Sequence, residues 1–331
     1  MRNVFFKMVM LVTLAISTAC NLTQKATTEK TIISEKGPEL PNPVQIRASV
    51  EKNLKYLSSN ELLGRETGTE GIEDAAVFIE NAFKKNNIRP YYKTFRDTFE
   101  VGNKTAYNLI GYLEGSDPVL KKEFIILGAH YDHIGLGKAI NGDSIANGAN
   151  DNASGTVGVL ELAKYFSKIS DNKRSLLFVL FSAEEKGLLG SKHLAEKLNS
   201  EGLDLYAMLN LEMIGVPMPD KNYLAYITGF EKSNFAEKFN EYSNSKIFGF
   251  LPQAKDYNLF ERSDNYSFFQ EFNVPAQTIS TFDFTNYKYY HHVSDEAEKM
   301  DFAHMAKLIQ NVIPGIHKMA NTSEKEIKLN E

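Results

Sequence analysis

The sequence of 331 residues holds one cysteine and no tryptophan. A single thiol can form no intramolecular disulfide and build no cysteine-rich zinc cluster, so any metal must be held by His, Asp and Glu. Positive charge is not in excess either: 37 Lys and Arg stand against 42 Asp and Glu, a formal net charge of −5. No global basic field gathers phosphates, and nucleic acid is not expected as a partner. Nor is any apolar run near the start long enough to span a bilayer. The remaining composition, 43% hydrophobic, 24% charged and 11% aromatic, is that of a globular chain and excludes whole-chain disorder, collagen and coiled coil. At roughly 150 residues per domain, length alone suggests two domains.

The one cysteine lies at the end of a patterned segment. Residues 1–19 read as a signal peptide: Arg2 and Lys7, an apolar run from Met8 to Ile16, then Ser17-Thr18-Ala19 before Cys20. The pattern resembles a bacterial lipoprotein signal, in which the cysteine after the cleavage point is lipidated. That resemblance implies an exported protein with a lipid anchor to the membrane through Cys20, facing the periplasm or cell exterior. The alternative is an ordinary secretory peptide with an incidental cysteine. Residues 20–43 are mainly Thr, Lys, Glu and Pro, too poor in large apolar residues to offset the entropy of ordering, and read as a disordered tether. No composition break occurs after residue 44, so 44–320 reads as one domain, with 321–331 as a C-terminal tail.

Within that domain, apolar residues at helical spacing predict helices over Ile46–Leu57, Gly71–Asn86, Thr156–Lys168, Leu188–Leu198, Asn234–Tyr242 and Ala303–Met319. Near-continuous apolar runs predict strands over Tyr107–Leu113, Glu123–Ala129, Ser175–Ser182, Leu205–Leu211, Leu224–Thr228 and Pro275–Thr281, several buried on both faces. The alternation predicts an α/β fold with a mainly parallel, mixed central sheet sandwiched by helices.

In such a sheet, ligands bind beyond the carboxyl ends of the strands. Polar residues stand at those ends here. His130-Tyr131-Asp132-His133, Ala183-Glu184-Glu185, Glu212 and Tyr290-His291-His292 all lie there, and a Gly- and Asx-rich loop carrying Asp151 runs into the helix at Thr156. Taken singly, each has a plain structural reading: a surface His, an Asx N-cap, a solvated first helical turn. Together they set several carboxylates close to one another with no basic excess to neutralise them, and such carboxylates repel and raise one another's pKa. A pair of divalent cations removes the difficulty. Imidazole and carboxylate without thiolate suit zinc, with cobalt or manganese as alternatives, better than calcium or magnesium.

Five segments in order resemble the motifs of the M28 family of zinc aminopeptidases. They are His130-Tyr131-Asp132, Gly148 to Gly155, Phe181 to Ser191, Leu209 to Gly215 and His291 to Asp295. The upstream Leu63 to Thr69 and Asn108 to Tyr112 stretches extend the likeness to roughly residues 50 to 315. The resemblance implies a zinc-exopeptidase (phosphorylase/hydrolase-like) fold holding two Zn2+ per chain. It implies Asp151 as the carboxylate bridging both metals, His130 and Glu212 as the other ligands of one, and Glu185 and His291 as those of the second. Glu184 falls on the general base, Asp132 on the group that orients His130, Tyr290 on an oxyanion-stabilising tyrosine and Arg262 on a substrate-binding arginine. Three positions differ from the family's common pattern: Glu212 for Asp, His292-Val293 for Thr-Pro, and Asn265 for His.

The activity implied is removal of N-terminal residues from peptide substrates. Two alternatives share the fold: an acyl transferase of the glutaminyl cyclase type, and a catalytically inactive binding module. The absence of tryptophan weighs against the first, whose pockets are typically lined by it, and a retained Glu184 beside a full ligand set weighs against the second.

Overall fold

Runs such as Leu176 to Phe181, in which every side chain is buried, can satisfy their backbone only beside other strands and their side chains only between two layers. A computed structural model describes residues 38–331 and places them so. Its strands are β1 (Arg89–Pro90), β2 (Arg96–Val101), β3 (Lys104–Leu113), β4 (Glu123–His130), β5 (Leu136–Ile140), β6 (Asp143–Ile145), β7 (Ser175–Phe181), β8 (Asp204–Glu212), β9 (Ala225–Ile227), β10 (Phe248–Gly249) and β11 (Ala276–Ser280). The helices are α1 (Pro43–Leu57), α2 (Glu70–Lys85), α3 (Ser154–Ile169), α4 (Leu189–Ser200), α5 (Phe235–Ser243), α6 (Pro252–Asp256), α7 (Asn265–Phe272) and α8 (Phe302–Asn321).

The centre of the sheet runs β7-β4-β8-β11, all parallel. Register aligns the strand ends, with His130 opposite Phe181 and Glu212 opposite Ser280. The flanks are antiparallel: β3 pairs with β7 and carries β2 and β1, while β9 pairs with β11 and carries β10 in parallel. The mixed sheet is thus a parallel core with antiparallel borders. Successive strand residues face opposite layers. Ile125, Leu127, Leu176 and Phe178 pack with α1, α2, α3, α5 and α8, whereas Ile126, Leu177, Val179 and Phe181 meet Leu194 and Leu198 of α4 and Phe268 of α7. Each such side chain contributes about 1.5–3 kcal/mol on full burial.

The ends of the described region are held against this body. Asn42 caps α1 through a bond from Val44 N–H, the Pro41 carbonyl accepts from Gln310, and the Glu39 carbonyl accepts from Tyr165. Residues 39–43, read from composition as the end of a tether, are therefore anchored on the domain. Beyond α8, Ile327 is buried, its N–H donates to the Tyr206 hydroxyl, and Leu329 bridges to Ser233. The C-terminal segment is thus packed on the domain. The expected signal peptide over residues 1–19 and residues 20–37, Cys20 among them, lie outside the described residues. No helix among the described residues is long and apolar enough to cross a membrane.

Candidate metal centre

The carboxyl ends of the central strands and the loops that leave them converge on one point. His130 ends β4, and its carbonyl accepts from Thr156 of α3 at 2.8 Å. Glu212 ends β8 and accepts from the Ser263 hydroxyl at 3.0 Å. Asp151 lies in the loop before α3, where the N–H groups of Asn150 and Asp151 donate to the Asp295 carboxylate at 2.8 and 3.0 Å. Asn152 ties the same loop to β8 by donating to the Leu211 carbonyl and accepting from Met213 N–H. His291, on the loop after β11, adopts φ 53°, which turns its ring back toward Asp151.

Two donor clusters result. His130 Nε2 stands 3.4 Å from Asp151 Oδ1 and 3.2 Å from Glu212 Oε1. On the other side of Asp151, His133 Nδ1 is 2.9 Å from Glu185 Oε1, and His291 Nε2 is 3.3 Å from Asp151 Oδ2 and 3.0 Å from Glu185 Oε2. Zinc bonds of about 2.0–2.1 Å set neighbouring donors of a tetrahedral site about 3.3 Å apart, so these spacings fit. Asp151 Oδ2 is buried and makes no well-formed hydrogen bond, the condition a cation would relieve. The donor set, imidazole and carboxylate without thiolate, matches a binuclear zinc site with one carboxylate shared between the two positions.

Charge at the centre is unevenly settled by protein groups alone. Burial works against the Asp151 carboxylate, yet the His133, His130 and His291 rings around it hold its pKa below the usual range. Burial pushes Glu184 well above the ordinary carboxylate value, with Glu212 and Asp264 adding repulsion against the pull of His130. Asp264 is pushed up to about 7 by burial. Arg65 is buried nearby, with its pKa lowered to about 10 by burial, but it touches none of these carboxylates. Its guanidinium donates to the carbonyls of Leu57, Tyr131 (2.9 Å), Asn147 (2.6 Å) and Gly148 (3.0 Å), pinning the His130 and Asp151 loops together.

Beside the clusters opens a cavity of about 520 Å³ counted to its mouth. Glu184 stands on its wall, with Oε2 3.9 Å from His130 Nε2. Tyr290 and Arg262 line it too, and the Tyr290 ring stacks on His291 at 3.9 Å between centroids. Leu259, Phe282 and Phe284 supply an apolar side. Of the two neighbouring histidines, His292 turns away and accepts from Ser294 N–H. Asp132 stands at the second ring nitrogen of His130. Its main-chain carbonyl, at 3.1 Å, meets His130 Nδ1, while its carboxylate stands at 3.7 Å. That carboxylate also accepts from the N–H groups of Glu184 and Glu185 at 3.2 and 3.4 Å, and so fixes the turn that carries them.

Sequence reasoning missed three participants. His133 was visible beside His130, but only the fold of the loop shows which ring reaches Glu185. Arg65 lies in the Leu63 to Thr69 stretch and Asp264 two residues after Arg262, but their tasks depend on contacts far along the chain.

The profile of the family described as Peptidase family M28 matches residues 108–315. A protein described as "Probable leucine aminopeptidase" from Arthroderma otae is 28% identical over 286 residues, which cover 82% of this chain and 73% of that one. Two further relatives, from Streptomyces exfoliatus and Bacillus subtilis (strain 168), are matched over 40% and 30% of their own length. Among solved structures, an aminopeptidase from Aneurinibacillus sp. strain AM-1 superposes with a TM-score of 0.64 at 18% identity, over 88% of this chain and 99% of that one. A glutaminyl cyclase from Porphyromonas gingivalis does so with the same TM-score at 16% identity, over 85% and 100%. At these identities the structures share the fold, and the fold carries both chemistries.

Proposed function

The chain belongs to peptidase family M28, and from that premise we propose that it is a metal-dependent aminopeptidase that removes N-terminal residues from peptides. One observation carries the reading: a partly buried glutamate that no donor cluster uses, Glu184, faces the cavity beside two clusters joined through Asp151. When bound, the zinc pair supplies an acidified water and a Lewis acid for the scissile carbonyl. His130, Asp151 and Glu212 hold one position; Asp151, Glu185 and His291 hold the other. Glu184 takes a proton on its carboxylate and returns it to the departing amine, a role its raised pKa favours. Tyr290 lines the cavity, where its hydroxyl donates to the developing oxyanion, and Arg262 orients the peptide. Leu259, Phe282 and Phe284 favour an apolar first side chain.

The distal assignments complete the reading. Residues 1–19 act as a bacterial export signal and Cys20 carries a lipid, which holds the domain at the membrane on the periplasmic or outer side. Labelling with a radioactive fatty acid should mark the wild type and not Cys20→Ala; equal labelling of both would remove the anchor.

Zinc-loaded protein tested on aminoacyl, blocked and N-terminal Gln substrates separates the readings. Hydrolysis of free-amine substrates alone is expected. Cyclisation of N-terminal Gln without hydrolysis of the others would place the chain with the glutaminyl cyclases, although it lacks tryptophan.

A further inference from the structure

The two donor clusters are unequal. The position at His130 has three protein donors, His130, Asp151 and Glu212, and all three line the cavity with Glu184. The position at Glu185 is built differently. His133 is wholly buried, and its Nδ1 lies 2.9 Å from Glu185 Oε1 and 3.7 Å from Asp151 Oδ2. His291 approaches the same two carboxylates from the other side, at 3.3 and 3.0 Å, with its ring edge-on to His133 at 5.7 Å between centroids. The four spacings bracket the tetrahedral edge of about 3.3 Å expected for zinc. At 3.7 Å, the approach to Asp151 is too long for a hydrogen bond but suits two donors of a common ion.

The His133 ring is also built in. Its main-chain N–H donates to the Arg65 carbonyl at 3.2 Å, and the ring lies on Gly148, where a Cβ would come within 2.6 Å of its carbons. Gly148 has φ 58°, so both its conformation and the ring require glycine. His133 Nε2 meets no partner, so the ring is aimed by its Nδ1 side alone. Of the groups at this position, Asp151 and His291 line the cavity, and His133 and Glu185 do not.

We propose that His133 is a fourth protein donor at the Glu185 position, so that this position is closed by His133, Asp151, Glu185 and His291 while the His130 position keeps a free side toward the cavity. Four protein donors mark structural zinc sites, and three with an open place mark catalytic ones. The consequence is a division of labour. The closed position fixes Asp151 and is filled first, and the open one serves the substrate. The inference rests on the binuclear reading of the site, and its test does not depend on peptide hydrolysis.

Apoprotein given one equivalent of zinc should show two imidazoles per metal by X-ray absorption, and one equivalent of cobalt should give the intense visible bands of a four-coordinate ion. One imidazole per zinc at that loading overturns the proposal. In His133→Gln, checked for folding by circular dichroism, the tighter of two sites should weaken by more than the about 10–100-fold that loss of an outer hydrogen-bond partner costs. Should the variant misfold, the wild-type measurements decide alone. A smaller loss with the cobalt bands intact would make His133 an orienting partner of Glu185 and not a ligand. Glu212→Gln should leave the first equivalent's spectrum unchanged. Wild-type protein that binds no metal would overturn both this inference and the binuclear reading, whereas two-site binding without peptide hydrolysis would remove only the aminopeptidase reading.

Discussion

The two ends of the central strands both bury charge, and they settle it in opposite ways. At the amino ends, the Arg174 side chain donates to Glu123 at 2.7 Å and to the carbonyls of Met319 and Thr322 at 2.9 and 2.6 Å, with its guanidinium 4.8 Å from the Tyr206 ring. One cation there meets one carboxylate and the open carbonyls at the end of α8. At the carboxyl ends, Asp132, Asp151, Glu184, Glu185, Glu212 and Asp264 gather around imidazoles, and the nearby Arg65 is spent on carbonyls. The first end pairs its charge within the protein, with Arg174 Nη2 alone left without a hydrogen-bond partner. The second is complete only with a cation, and a buried charge left unpaired costs several kcal/mol. Stability is therefore concentrated at one edge of the sheet and function at the other.

The sharpest way to break this contrast is Glu184→Gln. Turnover should fall by about 10²–10⁴-fold, while metal content is kept and the melting temperature does not drop, because a carboxylate with a pKa raised by burial is replaced by a neutral amide. Retention of more than a tenth of the activity, roughly 1.4 kcal/mol of barrier, would deny Glu184 its role. Arg174→Met tests the other edge. It should cost about 3–5 kcal/mol in denaturant unfolding, with turnover of the folded fraction unchanged; a parallel loss of turnover would mean the edges are not separable. Removing metal with a chelator should abolish activity and lower stability by about 2.7 kcal/mol relative to protein at a hundredfold excess over the dissociation constant. Hydrogen exchange should then rise at residues 130–133, 148–152 and 184–187 and stay low at 174–176 and 319–322. Uniform loosening would contradict a local deficit.

The smallest effect belongs to His304 in the first turn of α8, where burial lowers the imidazole pKa below 6.5 and outweighs the attraction of Asp301. The unfolded chain binds the proton more readily, so stability should rise with pH from the depressed folded value up to about 6.5 and level off above it. His304→Gln should flatten that rise in unfolding measured across the window, and an unchanged slope would assign it to other groups.

Much of the sheet was legible because strands buried on both faces must be nearly continuous in apolar residues, as Ser175 to Phe181 is. The antiparallel borders were not. In β2, Arg96, Asp97 and Glu100 interrupt the pattern, and Arg96 is held by Glu73 and Glu80 of α2, partners that only the fold supplies. Helix α7, with Tyr266, Phe268, Phe269 and Phe272, has a composition that favours strands and is helical because it packs on α4 and β11. In the metal centre, residues placed directly after strands were readable, since strand direction brings them to one edge. His133 and Asp132 were harder, because their tasks depend on how one loop folds against Gly148 and the Glu184 turn. For Arg65, the partners are carbonyls, and carbonyls leave no mark in a sequence.

Asp151 offers one oxygen to each cluster, so the two positions share a hinge. An ion that takes Oδ2 fixes the carboxylate plane and thereby sets where Oδ1 points for the other. Occupancy of either position thus changes the affinity of its neighbour, and by thermodynamic reciprocity the neighbour returns the same factor. An ion at the Glu185 position would therefore tune one at the His130 position, and a substitution behind the hinge would alter the second without touching it.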